Sequence, residues 1–214
     1  MTSLIIQTFS TSTAQIITDR LGTSWQWYII RGAGFVAAAL VILLMLSGIG
    51  QVTGITYRFI EPIKAWAIHK AMALALLASV AIHVIFLFFD HFISFTIPQL
   101  TIPFLSHVNN GTDFAGFALG SLAITFGIFA TYGIIIIVAS SIGWIDKHKS
   151  IWRSLHYLSY AVMVLVFLHG LYSGTDLRYG TFRAAWVALG GIVVIGIFMR
   201  LRRAGSLKQT DDSN

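Results

Sequence analysis

Four of the seven histidines lie in long apolar stretches and form two similarly spaced pairs along the chain. His69 and His83 are 14 residues apart, and His156 and His169 are 13 residues apart. An ionisable group is costly inside a bilayer and generally marks a functional site there. Imidazole nitrogens also bind metal ions and haem iron. The pattern therefore indicates haem, metal or proton chemistry within a membrane.

The composition places these histidines in a membrane protein. Of the 214 residues, 57% are hydrophobic and only 10% are charged, whereas soluble domains have about 25% charged residues. The chain has no cysteine, which excludes disulfides, cysteine-ligated iron–sulfur clusters and covalently attached c-type haem. The net charge of +6 is of the kind that membrane proteins place on one face, so we expect a lipid bilayer and no nucleic acid as partner.

Five stretches are long and apolar enough to cross a bilayer, which needs about 20 residues. We therefore predict an all-α integral membrane protein with a single helix bundle. Residues 1–24 are interrupted by polar residues, so we expect a surface-lying or mobile segment, with a sixth membrane element as the alternative. The bundle occupies 25–203, and 204–214 form a tail. The predicted spans lie near 28–50, 67–89, 115–143, 152–173 and 182–201.

Charge asymmetry predicts the orientation of the bundle. The side that receives the first loop, the third loop and the C-terminus carries ten of the 14 Lys and Arg residues. The positive-inside rule then places the N-terminus outside and the C-terminus in the cytoplasm. The second loop, about residues 90–114, has no Lys or Arg and is largely apolar. We expect it to fold back over the outer end of the bundle.

The second and fourth spans run in the same direction, which sets His69 level with His156 and His83 level with His169. At 1.5 Å per residue, the two histidines of each span are roughly 20 Å apart along the helix. Two neutral imidazoles across a gap form the axial ligand set of a low-spin b-type haem. We therefore predict two stacked b-type haems, with these four histidines as iron ligands. A proton or metal-ion pathway without haem is the alternative.

The 13-residue spacing raises a geometric difficulty. At about 100° per residue, a 14-residue step returns to within roughly 40° of its starting direction, but a 13-residue step misses by about 140°. His156 and His169 would not share a face of an ideal helix. Either the fourth span is wound more tightly at some point, or its two histidines serve haems on different sides.

Residues 30–200 resemble the ferric reductase-like transmembrane family, whose relatives include NADPH oxidases, six-span metalloreductases and the haem subunit of the bacterial methionine sulfoxide reductase system. The resemblance rests on His69-x13-His83, on His156-x12-His169 and on WRSLHYLSYAVMVLVFLHGLYSGTD at 152–176. It implies that residues 25–203 are a haem-binding domain, in which His69 and His156 hold the inner haem and His83 and His169 the outer haem.

Haem propionates are anions and need cationic partners at each membrane face. The propionate candidates are Arg58 and Arg153 on the inner side and Arg31 and Arg178 on the outer side. Oxidase relatives keep an arginine by the outer haem near the position of Arg31. A charge that only sets topology and reaches to the interface is the alternative for each.

These features predict a dihaem cytochrome b that moves electrons between a cytoplasmic-side donor and an outer-side acceptor such as ferric iron, oxygen or a redox partner. The sequence contains no flavin or NADPH domain, so the donor would be a separate flavoprotein reductase or quinol, bringing flavin or quinone through a partner. The alternatives are a quinol-linked haem anchor of an extracytoplasmic reductase and a haem-free proton or metal-ion transporter.

Overall fold

The structure is a computed structural model that describes the backbone of residues 2–90, 94–108, 113–114, 116–177 and 179–211. Side chains are described within these ranges except at 2–24, 113, 117, 175 and 203–211. The described residues form seven α-helices, two short 3₁₀ turns and one two-residue β ladder. The helices are α1 (Thr2–Val52), α2 (Pro62–Leu87), α3 (Ile97–Thr101), α4 (Leu119–Gly143), α5 (Lys149–His156), α6 (Leu158–Ser173) and α7 (Gly180–Asp211).

Five of these helical stretches are long and apolar enough to cross a membrane, which confirms the all-α, five-span prediction. Of the expected separate segment 1–24, residues 2–24 have a helical backbone that runs into the first span without a break. Its location on the membrane surface stays a prediction. The five spans are Trp25–Val52, Pro62–Leu87, Leu119–Gly143, Lys149–Ser173 and Gly180–Arg202.

Local sequence signals explain where the helices begin and end. Pro62 occupies the first turn of α2, where its missing N–H costs nothing. Gly54 follows α1 with φ +76° and Gly180 opens α7 with φ +79°, a conformation that only glycine adopts cheaply. The 3₁₀ turns Thr56–Arg58 and Thr175–Leu177 shorten the connections, so that consecutive spans return as neighbours.

The spans pack as two helix pairs with α7 against their flank. α1 packs along α2, α4 packs along α6, and α7 contacts α1 and α6. Within the described residues, α2 and α6 do not pack closely on each other, which leaves space between the two histidine-bearing helices. The buried cluster around this space includes Met45, Leu76 and Val162.

The outward surface of the bundle is apolar. Ile63 of α2 is 82% exposed and Val194 of α7 is 65% exposed. Such a surface is unfavourable in water but matches bilayer hydrocarbon, because lipid tails are as apolar as these side chains.

The fourth span is not one regular helix. α5 ends at His156 and α6 begins at Leu158, with Tyr157 between them. The Tyr160 N–H donates to the Tyr157 carbonyl at 3.2 Å. This three-residue bond is a 3₁₀ turn, which advances about 120° per residue instead of about 100°. Of the two alternatives for the 13-residue spacing, the structure therefore shows the tighter local winding.

The second loop differs from the expectation that it covers the outer end of the bundle. Its described residues 94–108 lie along the side of α4, and the ladder of Asp113–Phe114 with Phe117–Ala118 precedes α4. Hydroxyl groups of α4 bond the loop backbone. Polar groups on one side of α4 therefore hold the loop beside the helix.

Candidate functional site

The structure brings the four membrane histidines together in two facing pairs. The ring centroids of His69 and His156 are 6.4 Å apart, and those of His83 and His169 are 6.3 Å apart. Each pair joins α2 to the fourth span. These are the two pairs that the parallel direction of the spans predicts, and the turn at Tyr157 lets both rings of the fourth span reach α2.

The separation within each pair leaves room for one metal atom and no more. An imidazole nitrogen binds a transition metal at about 2 Å, so two rings on opposite sides of one metal have centroids roughly 6 Å apart. Both observed separations match that distance. Among the described residues, no three His, Asp or Glu side chains converge on one point, so each site offers two imidazoles and the space beside them.

The Nδ1 atoms of His83 and His169 are held by backbone carbonyl groups of neighbouring helices. His83 Nδ1 donates to the Ile30 carbonyl at 2.8 Å, and His169 Nδ1 donates to the Ala123 carbonyl at 2.7 Å. A proton fixed on Nδ1 leaves Nε2 with its lone pair, which is the tautomer that binds a metal. No described residue hydrogen-bonds either Nε2. α1 and α4 therefore orient the His83 and His169 rings that α2 and α6 carry.

The His69–His156 pair has a different set of supports. His69 Nδ1 lies 3.1 Å from the Ser47 hydroxyl. His156 Nδ1 is buried and has no hydrogen-bond partner among the described residues. A buried polar atom without a partner is rare and needs a cause such as a missing ligand. The Trp152 ring lies beside the His156 ring at a centroid distance of 5.3 Å, and its Nε1 donates to Ser141.

Glycines of the neighbouring helices stand against three of the four rings. A Cβ on Gly127 of α4 would lie 2.7 Å from His169 Nδ1, and one on Gly34 of α1 would lie 3.2 Å from His83 Nδ1. A Cβ on Gly48 would meet the His69 ring at 3.7 Å, an ordinary contact. Gly34 and Gly48 are 14 residues apart, like His83 and His69. The absence of a side chain at Gly34 and Gly127 is therefore what allows the ring positions.

A cavity of about 620 Å³ surrounds the His69–His156 pair, within the range of about 300–1,000 Å³ that is usual for cofactor sites. Its walls are mostly apolar side chains of α1, α2, α4 and α6. Three cationic residues also line it, namely Lys70, Arg153 and Arg200. Asp146 also lines the cavity, so its charged residues are three cations and one carboxylate. An apolar pocket with an excess of positive charge suits a flat apolar ring system that carries anionic groups.

Of the residues predicted to meet propionates at this end, Arg153 lines the cavity and Arg58 does not. Arg58 ends the 3₁₀ turn that follows α1. Arg200 also lines the cavity, although the sequence indicates only that its charge contributes to the orientation of the bundle. Its guanidinium lies over the Tyr157 and Tyr160 rings at 5.6 and 5.4 Å. Only the packing of α7 against the bundle brings it to this cavity, so its position in the sequence gives no signal.

At the other end, Arg31 forms a two-bond ion pair with Asp176, which follows α6. Arg31 Nε donates to Asp176 Oδ2 at 2.8 Å, and an Nη atom bonds Oδ1. The guanidinium also stacks on the Trp27 ring at 3.9 Å. Ile30, beside Arg31, supplies the carbonyl that holds His83. The ion pair therefore joins the α1 segment that orients His83 to the chain that leaves α6 shortly after His169.

The second propionate candidate at this end, Arg178, lies outside the described residues. Arg183 of α7 donates to the Leu177 carbonyl at 3.1 Å. The supports at Ile30, Ala123 and Ser47 were missed from the sequence. Carbonyl groups carry no residue signature, and a serine in an apolar helix is not specific.

Comparison with known proteins gives one match. The model of the family described as "Ferric reductase like transmembrane component" matches residues 33–167, more than half of the chain. The matched range includes His69, His83 and His156 and ends two residues before His169. Searches of curated proteins and of solved structures found no match. The chain therefore belongs to the family of ferric reductase-like transmembrane components.

Proposed function

We propose that this chain is a dihaem membrane cytochrome b that carries electrons from one face of the bilayer to the other. Membership of the ferric reductase-like family indicates transmembrane electron transfer. The observation that carries the dihaem proposal is the pair of ring separations, 6.4 and 6.3 Å, at two levels of one bundle. Each separation suits two imidazoles bound to one iron.

In this proposal His69 and His156 would hold the iron of one b-type haem, and His83 and His169 would hold that of the other. Each haem, when bound, accepts and donates one electron at its iron. The chain supplies the four histidines, fixes the tautomer of His83 and His169 through the Ile30 and Ala123 carbonyl groups, and excludes water with apolar walls. Burial and axial histidines set the potentials at which electrons enter and leave.

The charged residues have distinct proposed roles at the two ends. Arg153, Lys70 and Arg200 line the His69–His156 cavity and would neutralise propionates there. Near His83, Arg31 would be the propionate partner, although its guanidinium already bonds the Asp176 carboxylate. A propionate at that site would share the guanidinium with the carboxylate or displace it. Arg178 remains a proposed partner from the sequence alone.

We also propose that the end with the His69–His156 pair faces the cytoplasm. The loop that follows α1, the loop that precedes α5 and the end of α7 carry most of the Lys and Arg residues, as the positive-inside rule requires. A flavoprotein reductase or quinol would deliver electrons at that end. Ferric iron, oxygen or a redox partner would accept them beyond His83 and His169.

A reduced-minus-oxidised spectrum with haem quantitation tests this proposal. Purified wild-type protein is expected to show b-type bands and two haems per chain, and His83→Ala is expected to retain one. His148→Ala is the matched control, because His148 is an exposed loop residue before α5 and its removal should leave two haems. Wild-type protein without haem would contradict the proposal and favour a proton or metal-ion transporter.

Vectorial transfer needs a second assay. Proteoliposomes with an entrapped reductant and an external, impermeant ferric chelate should reduce the chelate with wild-type protein and not with His83→Ala. Equal rates in the two samples would show that electrons do not pass through the His83–His169 pair.

A further inference from the structure

We infer that residues 97–106, here called the re-entrant segment, lie inside the bilayer beside α4 and are covered by lipid acyl chains. The segment reads IPQLTIPFLS and contains α3 (Ile97–Thr101). It has no charged residue and holds two of the three prolines of the chain. The inference concerns the bilayer surface and does not depend on haem.

The depth of the segment follows from its contacts along α4, which begins at Leu119. Ser121 Oγ donates to the Ser106 carbonyl at 2.7 Å, and the Phe104 N–H donates to Thr125 Oγ1 at 3.0 Å. The Tyr132 hydroxyl donates to the Thr101 carbonyl. The Tyr132 Cα is 13 residues into α4, roughly 20 Å along a helix that crosses about 30 Å of hydrocarbon, and its side chain leans back toward the start of α4. Thr101 therefore lies nearer the start of α4 than the Tyr132 Cα, but still within the length of the span.

Non-helical backbone can enter hydrocarbon only if its polar groups are bonded within the protein. Bonds within the protein give partners to the Leu100, Ile102 and Phe104 N–H groups and to the Pro98, Thr101 and Ser106 carbonyls. Ile102 N–H donates to the Pro98 carbonyl at 2.7 Å, and Pro98 and Pro103 have no N–H to satisfy. The Thr125 hydroxyl accepts from the Phe104 N–H, and the Tyr132 and Ser121 hydroxyls donate to the Thr101 and Ser106 carbonyls. The three hydroxyl groups lie on one side of an apolar helix, where Thr125 also donates to the Ser121 carbonyl of α4.

Phe104 is where the backbone turns toward α4. It has φ +66°, a conformation that is strained for a bulky residue. The turn aims its N–H at Thr125, which is fully buried, and sets the Phe104 ring against Phe129 at 6.2 Å. A costly conformation that satisfies a buried hydroxyl indicates a specific docking of the segment on α4.

The outward face of the segment consists mainly of exposed apolar side chains. Ile97, Ile102 and Phe104 are 67%, 52% and 55% exposed. The polar side chains bond inside the segment, since Thr101 Oγ1 donates to the Ile97 carbonyl at 2.8 Å and Gln99 caps the start of α3. The exposed side chains of this face are mainly apolar, and acyl chains are the medium that such a face fits.

Because the chain has no cysteine, a single cysteine gives one labelling site. A nitroxide is attached at Ile102→Cys in liposomes, and its collision rates with oxygen and with a water-soluble nickel chelate are measured. Val194→Cys on the outward face of α7 is the lipid reference. Tyr179→Cys, 84% exposed in the loop before α7, is the aqueous reference at the same end of the bundle.

Ile102→Cys is expected to resemble Val194→Cys, with an oxygen-to-nickel collision ratio several-fold above that of Tyr179→Cys. A ratio equal to that of Tyr179→Cys would overturn the inference by placing the segment in water. Low collision with both reagents would overturn it by showing a protein neighbour, such as a second copy of the chain.

Thr125→Val tests the anchoring hydroxyl separately, because it leaves the Phe104 N–H without its acceptor. It should raise the nickel collision rate at Ile102→Cys. Thr131→Val is the matched control, since Thr131 Oγ1 bonds only the Gly127 carbonyl of its own helix, and it should not change that rate. Equal rates in the two variants would overturn the role given to Thr125.

Discussion

Adding one methyl group at Gly127 should weaken haem binding at the His83–His169 pair and leave binding at the His69–His156 pair unchanged. An alanine Cβ there would lie 2.7 Å from His169 Nδ1 and 2.8 Å from its Cε1. Ordinary contact begins at 3.4 Å, so the ring must move by about 0.7 Å or α4 must withdraw. Either movement stretches the 2.7 Å bond from Nδ1 to the Ala123 carbonyl. The ligand then loses the support that fixes its tautomer and direction.

The size of the effect follows from measurements on other metal sites. Loss of a group that orients a ligand costs about 10–100-fold in metal affinity, equivalent to about 1.4–2.7 kcal/mol. We expect Gly127→Ala to weaken haem retention at the His83–His169 pair by at least this factor. The loss would not come from the helix itself, because alanine is a better helix former than glycine.

The glycines of α1 provide a graded series for this prediction. Gly34→Ala places a Cβ 3.2 Å from His83 Nδ1, Gly48→Ala places one 3.7 Å from the His69 ring, and Gly32→Ala meets nothing within 4 Å. Haem content per chain, measured by the pyridine haemochrome spectrum, should be lowest in Gly127→Ala and intermediate in Gly34→Ala. It should be unchanged in Gly48→Ala and Gly32→Ala. Full haem content in folded Gly127→Ala, or equal losses in all four variants, would refute the reasoning.

Three further predictions concern the residues around the pairs. Ser47→Ala removes the hydroxyl near His69 Nδ1. Haem titration should show haem retention at the His69–His156 pair weakened about tenfold. Unchanged retention would mean that Ser47 does not orient the His69 ring. Arg31→Ala and Asp176→Ala should each lower the free energy of unfolding by about 1 kcal/mol, since the ion pair is partly exposed. Thermal unfolding in detergent should show that the double variant is destabilised by less than the sum of the two single variants. Strict additivity would mean that the two residues are not coupled. Arg200→Gln should lower the midpoint potential of the haem at the His69–His156 pair by tens of millivolts. A positive charge favours the reduced iron, and a unit charge roughly 10 Å away contributes about 1–2 kcal/mol. A redox titration in which both midpoint potentials stay unchanged would show that Arg200 does not act on that haem.

The sequence was sufficient to predict the spans and the partners of each histidine. Long apolar runs define membrane helices strongly, because the bilayer fixes their length. Parallel spans with similar histidine spacing then place His69 with His156 and His83 with His169. These inferences need only the direction and the rise of a helix, so they are insensitive to details of packing.

The departures from regular geometry could not be predicted. The turn at Tyr157 leaves no signal in the run HYLSY, yet it aims both histidines of the fourth span at α2. The Arg31–Asp176 ion pair joins residues 145 positions apart, and their meeting depends on how α1 and α6 pack. The course of the second loop was also missed, because its apolar composition fits a cover over the bundle as well as a segment beside α4.

The central claim is that each haem is held by one histidine of α2 and one of the fourth span, in the pairs seen here. Haem content of double alanine variants tests this most directly. If the claim holds, the variant that lacks His69 and His156 retains one haem per chain, because both losses affect the same site. The variant that lacks His69 and His83 retains none. The account would be contradicted if the variant without His69 and His156 lost both haems, or if the variant without His69 and His83 kept one.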